Sequence, residues 1–148
     1  MGEIDGVLLT PLKVIHVAEG DVFHALKVND PGYVKFGEAY FSTIHADDIK
    51  PWKRHSRMTL NLVVINGLIR FVVHDDRPLS RTFGVTSEYV VGLPDNYSRL
   101  TIAPGLWMSF QGLGLESSLL LNIADIPHDP AEADRGEKDD FNFDWSIK

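Results

Sequence analysis

Apolar and polar residues alternate with a period near two along most of the chain, and no stretch places apolar residues at i, i+3, i+4 and i+7. A chain patterned in this way buries the faces of strands rather than the stripe of a helix. Extended runs are expected over Val7–Val17, Val22–Val28, Phe36–His45, Met58–Ile65, Leu68–His74, Ser80–Thr86, Glu88–Gly92, Ser98–Ala103, Leu106–Gly112 and Ser117–Ala124. Turn formers separate them, among them Asn29-Asp30-Pro31-Gly32, Asp47-Asp48, Asn66-Gly67, Asp75-Asp76, Pro94-Asp95-Asn96 and Pro104-Gly105. Short strands at this spacing predict an all-β sandwich or barrel in one domain. A chain of 148 residues can build such a core without a disulfide or metal staple, and with no Cys it has no thiolate nucleophile or Cys-based metal site.

The net charge of -7 argues against a phosphate-backbone partner, which needs clustered Lys and Arg. The charge is uneven. Ala124 to Lys148 holds eight acids and three bases, which is -5 of the -7, so the rest of the chain is near neutral and free to present a basic pocket. No apolar run approaches the ~20 residues of a spanning helix, and the first residues lack a signal-peptide pattern, so a cytoplasmic protein is expected.

Asn66-Gly67 between two apolar runs predicts a two-residue β-hairpin with Ile65 opposite Leu68. One face of that hairpin is wholly apolar: Leu60, Leu62, Val64, Ile69, Phe71 and Val73. The other mixes Thr59, Asn61, Val63, Ile65, Leu68, Arg70, Val72 and His74, and gains Lys53, His55 and Arg57 if the extended run continues upstream. Aliphatic residues interleaved with polar ones are expected in a ligand pocket; an edge hairpin washed by solvent is the competing expectation.

The segment Ile49-Lys50-Pro51-Trp52-Lys53-Arg54-His55-Ser56-Arg57-Met58-Thr59, followed by Val63–Gly67 and Val72–Arg77, resembles the nucleotide-sugar modifying enzymes of the cupin superfamily. Among them it is most similar to the dTDP-4-dehydrorhamnose 3,5-epimerase-like group. Phe36–Ser42, Ile102-Ala103-Pro104-Gly105-Leu106-Trp107 and the Asp-rich tail ending Asp144-Trp145 extend the likeness over about residues 20 to 146. The resemblance implies a double-stranded β-helix, or jelly roll, spanning residues 1–148. Residues 1–20 would form an N-terminal strand shared in a homodimer, 21–123 the core and 124–148 an acidic wrap. It also implies a sugar-nucleotide ligand and a role in polysaccharide biosynthesis, while the charge and the short apolar runs predict no nucleic-acid or membrane partner.

Departures from the family pattern bear on mechanism. The epimerases carry Arg-Gly-Leu-His where this chain has Trp52-Lys53-Arg54-His55, the related ketoisomerases have a second His where Arg57 stands, and a further family His is Met108 here. Too few imidazoles remain for a metal, so neither metal nor other cofactor is expected. The epimerase Tyr has no counterpart in Leu119–Ala124, and the family's Lys falls at Leu60 or Asn61. The resemblance implies His55 as catalytic base, since imidazole titrates near neutrality. Lys53 would stabilise the enolate. Arg57, Thr59, Asn61, Arg70, His74, Trp107, Met108 and Tyr40 would bind substrate, with Arg57, Arg70 or Arg54 pairing with a diphosphate. The reaction expected is epimerisation of a dTDP-4-keto-6-deoxyhexose by proton abstraction beside the ketone. Alternatives are 3,4-ketoisomerisation of the same substrate class or sugar-nucleotide binding without catalysis.

Overall fold

The computed structural model describes residues 3–147; residues 1, 2 and 148 of the expected terminal segments lie outside these. Twelve strands follow one another: β1 (Val7–Pro11), β2 (Val14–Ile15), β3 (Val22–Phe23), β4 (Glu38–Ile44), β5 (Ile49–His55), β6 (Leu60–Asn66), β7 (Leu68–His74), β8 (Thr86–Gly92), β9 (Ser98–Ile102), β10 (Trp107–Gly112), β11 (Ser118–Ala124) and β12 (Ala133–Arg135). The only helical turns among the described residues are 3-10 turns at Pro130–Glu132 and Lys138–Asp140. Among the described residues no helix is long and apolar enough to cross a membrane.

Two antiparallel five-stranded sheets face each other, in the orders β1-β9-β6-β11-β4 and β12-β5-β10-β7-β8. From β4 to β11 successive strands change sheet at every step except β7 to β8, which is the jelly-roll path. β1 and β12 extend one sheet each, beside β9 and β5. The core lies between the sheets, where Leu60, Leu62 and Val64 of β6 meet Ile69, Phe71 and Val73 of β7, with Val91, Leu100, Ile102 and Leu120. Side chains like these contribute roughly 1.5–3 kcal/mol each when fully buried, so their alternation sets the facing of every central strand.

The expected run Val7–Val17 is broken into β1 and β2, and only Val22–Phe23 of Val22–Val28 is a strand; two further local expectations are corrected by identifiable contacts. Asn66-Gly67 does not close a hairpin: β6 pairs with β9 and β11, β7 pairs with β10 and β8, and the chain turns a corner between sheets. The six apolar residues expected on one hairpin face do share the core, but they reach it from opposite sheets. The mixed face is therefore divided: its β6 and β7 residues turn to two outer surfaces, while Lys53 and His55 do not continue β6 upstream but lie on a separate strand of the other sheet, β5, and face the space between the sheets. Gly67 has a positive φ of 85°, and a Cβ there would lie 2.2 Å from the Ser118 hydroxyl oxygen. That hydroxyl accepts from the Leu68 amide and donates to the Leu68 carbonyl, binding the corner to β11. The corner is thus specified by a tertiary contact that the dipeptide does not reveal.

Ser80–Thr86 is the second. Only Thr86 of it is in a strand, because the fully buried Asp75 carboxylate gathers the Arg77 guanidinium and the Ser80 and Thr82 hydroxyls into a compact loop. Those bonds, with the Arg77 amide, outweigh the burial that would raise the Asp75 pKa and hold it far below the usual carboxylate range.

Gly67→Ala should cost about 1–3 kcal/mol, the scale of a strained left-handed residue, plus the clash with Ser118. Gly84 has a similar φ of 84° but open space around its Cβ position, so Gly84→Ala should cost about 1 kcal/mol. Equal denaturant midpoints for the two variants would show that the Ser118 contact does not hold the corner.

Candidate active site

A cavity of about 300 Å³ lies between the two sheets and is lined from both. Tyr40, Ser42, Leu60, Leu62, Leu120 and Asn122 come from β4, β6 and β11; Lys50, Pro51, Lys53, His55, Met108, Phe110 and Arg135 come from β5, β10 and β12. Aliphatic side chains make its floor. Its charged lining is wholly cationic, with Lys50, Lys53 and Arg135 around the imidazole of His55.

Lys53 and His55 share a face of β5 because they are two residues apart. Lys50, three residues before Lys53, would point the other way in a regular strand. The ladder between β10 and β5 slips here: Met108 sits opposite Lys53 but Phe110 opposite Lys50, so β5 holds one residue more than β10. That bulge brings Lys50 to the same cavity. The Lys50 ammonium donates to the Ser42 hydroxyl and the Thr43 carbonyl and lies 5.5 Å from the centre of the Phe110 ring.

His55 is buried, and its Nδ1 is hydrogen-bonded to Glu132 Oε1. Glu132 Oε2 accepts from the backbone amides of Arg57 (3.0 Å) and Met58 (3.2 Å). Burial pushes the Glu132 carboxyl up, but the hydrogen bonds from His55, Arg57 and Met58 outweigh it and hold the group below the ordinary glutamate value. An ionised Glu132 fixes the Nδ1–H tautomer of His55 and leaves Nε2 as the basic nitrogen. Lys53 is pushed below an ordinary lysine by burial first and by the Arg135 cation second, with Glu132 opposing both. Arg135 sits opposite Lys53, and Ala133 opposite His55, in the β12–β5 ladder. Across the cavity the Tyr40 hydroxyl accepts from Asn122 Nδ2 (3.0 Å), while Asn122 Oδ1 accepts from the Asn61 amide.

Of the residues expected at the site, His55, Lys53, Tyr40 and Met108 line this cavity. The others do not, since the face they were expected to share is divided. Arg57 is exposed and paired with Asp129, although its amide holds Glu132. Thr59 is buried with its amide on Asp125. Asn61 lies on the outer side of its sheet, bonded to Arg99, Thr101 and the Gly32 carbonyl. Arg70, His74 and Trp107 lie on the outer side of the other sheet: Arg70 pairs with Glu88 and Gln111, His74 stacks on Phe141, and Trp107 donates to Asp76 beneath the Arg54 guanidinium. Arg54 is committed to Asp134 and Asp76, away from the cavity.

Sequence reasoning missed Glu132, Arg135, Lys50, Ser42 and Asn122. Asn122 was readable as the polar residue in the apolar run Leu119–Ala124. Glu132 and Arg135 sit in an acidic tail that reads as a solvated surface, and nothing local marks them. Among the described residues no cluster of His, Asp or Glu is arranged to hold a metal ion.

The crystal structure of a dTDP sugar isomerase from Desulfovibrio desulfuricans matches this fold with a TM-score of 0.92, covering 96% of this chain and 92% of that one at 38% identity. The chain belongs to that family of dTDP-sugar epimerases and isomerases on the cupin jelly roll. At lower identity the same fold recurs in a dTDP-4-dehydrorhamnose 3,5-epimerase from Elizabethkingia anophelis (14% identical, TM-score 0.82, covering 100% of this chain and 85% of that one). It recurs too in a 3'-monoepimerase from Streptomyces bikiniensis in complex with dTDP-quinovose (16%, 0.78, covering 89% and 70%). No protein-family model matches the chain, and no curated protein matches it.

The two charged neighbours of Lys53 should move its titration in opposite directions. Followed by NMR of labelled lysine side chains, Lys53 should titrate at a lower pH than an ordinary lysine. Arg135→Gln should raise that pH and Glu132→Gln should lower it. Movement of both in the same direction would contradict the arrangement.

Proposed function

We propose that this protein is a cofactor-independent isomerase of a dTDP-linked 4-keto-6-deoxyhexose, acting in the manner of a 3,5-epimerase. The carrying observation is that one cavity receives His55 and Lys53 from one sheet and Tyr40 from the other. A sugar ring lying between the sheets would have a base on one face and a hydroxyl donor on the other, which inversion at a carbon requires.

In this reading His55 Nε2 removes the proton from the carbon beside the ketone. The electron pair becomes the enolate, and its oxygen is met by the Lys53 ammonium. The imidazolium so formed is balanced by Glu132, which is already ionised. Tyr40, whose oxygen accepts from Asn122, has its own proton free for the carbon on the opposite face. His55 then gives its proton to solvent and Tyr40 regains one. Lys50 and Arg135 are the cations available to a diphosphate, a role that Arg57, Arg54 and Arg70 are too far committed elsewhere to take. The name of the 38%-identical relative supports the dTDP-sugar ligand. A second reading compatible with that name is 3,4-ketoisomerisation, in which the hydroxyl proton on O3 would pass to O4 while His55 alone would return the carbon proton to the neighbouring carbon.

We infer further that the protein works as a cytoplasmic homodimer supplying activated deoxysugars for polysaccharide assembly. Exposed Leu8 and Leu9 on β1, and Phe36 and Phe41 at the β4 sheet edge, are apolar surface that a second copy would cover. Light scattering should then give about twice the chain mass of 16.6 kDa; a value near one chain mass would sink the dimer.

Incubation with dTDP-4-keto-6-deoxyglucose in deuterated water, followed by NMR, tests the reaction. Deuterium at carbon 3 or carbon 5 with an inverted product is expected for epimerisation; a 3-keto product identifies the ketoisomerase. His55→Asn should lower turnover by about 10²–10⁴-fold, the range for loss of a general base. Tyr40→Phe should preserve deuterium exchange while product falls at least tenfold. Absence of exchange, with the melting temperature still raised by the dTDP-sugar, would mean that the cavity binds without catalysing.

A further inference from the structure

Arg135 of the cavity lining lies on β12, and Glu132, the partner of His55, immediately precedes that strand, which pairs only at one side. β12 is three residues long and its sole neighbour is β5. A strand so short at a sheet edge is prone to open, because few hydrogen bonds and little apolar contact hold it. Both side chains nevertheless need fixed positions: Glu132 to hold His55, Arg135 to face Lys53.

Bonds from Ser56, Arg57 and Met58 hold Glu132 at the start of β12, and the chain beyond β12 supplies a hold at the strand's other end. It crosses the outer side of the second sheet, behind the strand whose inner side bears Lys53 and His55. The Gly136 amide donates to the Trp52 carbonyl (2.8 Å), and Trp52 Nε1 donates to the Lys138 carbonyl (3.0 Å). Trp52 is only 1% exposed. Phe141 then inserts its ring among three others, stacking on His74 at 4.2 Å and approaching Trp52 at 5.1 Å and Trp107 at 5.6 Å. Farther along, Gln111 donates to the Trp145 carbonyl. The segment is thus fastened to β5, β7 and β10 in turn. The approach at Gly136 is close: a Cβ there would lie 2.8 Å from Asp140 Oδ2 and 3.4 Å from Trp52 Cβ.

We propose that residues 136–147 form a clamp that sets the positions of Glu132 and Arg135 from the back of the sheet, with Phe141 its principal positioning residue. The catalytic part of this inference rests on the epimerase reading; the positional part does not. Phe141 touches neither cavity nor substrate. It acts by pinning the end of β12, and a displacement of about 1 Å at a catalytic group can cost on the order of 100-fold in rate.

The test compares Phe141→Ala and Phe141→Tyr in the full chain. The proton between His55 Nδ1 and the Glu132 carboxylate should give a far-downfield proton NMR signal, as charge-assisted hydrogen bonds of this type do. In Phe141→Ala the fold should persist by circular dichroism, while that signal broadens or vanishes and kcat falls at least tenfold. Phe141→Tyr should restore both to within about twofold. Loss of the ring with the proton signal and kcat unchanged overturns the clamp. If Phe141→Ala does not fold, Gly136→Ala carries the same readouts, since it crowds Trp52 and Asp140 without removing a ring. The NMR signal needs no substrate, so a Phe141-dependent signal in a protein without turnover would overturn the function proposed above and leave the clamp standing.

Discussion

The buried carboxylate of Glu132 is the interaction on which the rest of the site depends. Removing a carboxylate from water is costly, and it remains ionised only where donors replace the lost solvent. Here the donors are His55 Nδ1 and two successive backbone amides, Arg57 and Met58, at the turn leaving β5. The Ser56 amide and hydroxyl hold the Glu132 carbonyl as well. One residue therefore fixes the tautomer of the imidazole, closes the end of β5 and ties the tail to the jelly roll. Its geometry also aligns β12, which places Arg135 opposite Lys53.

The two layers of β5 divide the labour. Its inner side presents Lys53 and His55, and the bulge adds Lys50 to that side. Its outer side presents Trp52 and Arg54, which bind the tail through an indole, an aromatic cluster and paired carboxylates. The acidity of the tail is consistent with this arrangement. Asp134 is consumed by Arg54 and Asp129 by Arg57, while Lys50, Lys53 and Arg135 are left to the cavity. A protein with net charge -7 can in this way keep a cationic site.

Much of the fold was legible because strand alternation is a local signal, and the motif around His55 added the jelly-roll order. The inward sets on β6 and β7 were read correctly even though their pairing was not. Alternation says which side chains share burial, but not whether they come from one sheet or from two that face each other. The Gly67 corner depends on Ser118, fifty residues away in the Leu68 bonds it anchors, and no local pattern carries such a contact. The cavity lining was legible at Lys53 and His55 on β5, at Tyr40 and at Met108. It was illegible where it depends on a bulge, as at Lys50, or on a tail residue whose role exists only beside His55. The binding roles expected of Asn61, Arg70 and His74 followed from assuming a hairpin, and the corner sends those side chains to opposite outer surfaces.

The distance along the chain between His55 and Glu132 has a consequence for how the protein comes into being. The partners are 77 residues apart, and every strand from β6 to β11 lies between them. A chain emerging amino-terminus first has both main sheets available before residue 132 appears. An imidazole waiting in that nascent barrel has no fixed tautomer and Lys53 has no Arg135 beside it. The jelly roll can thus form as a container before the His55–Glu132 pair exists, and on the proposed reading no base is in place until the tail has docked.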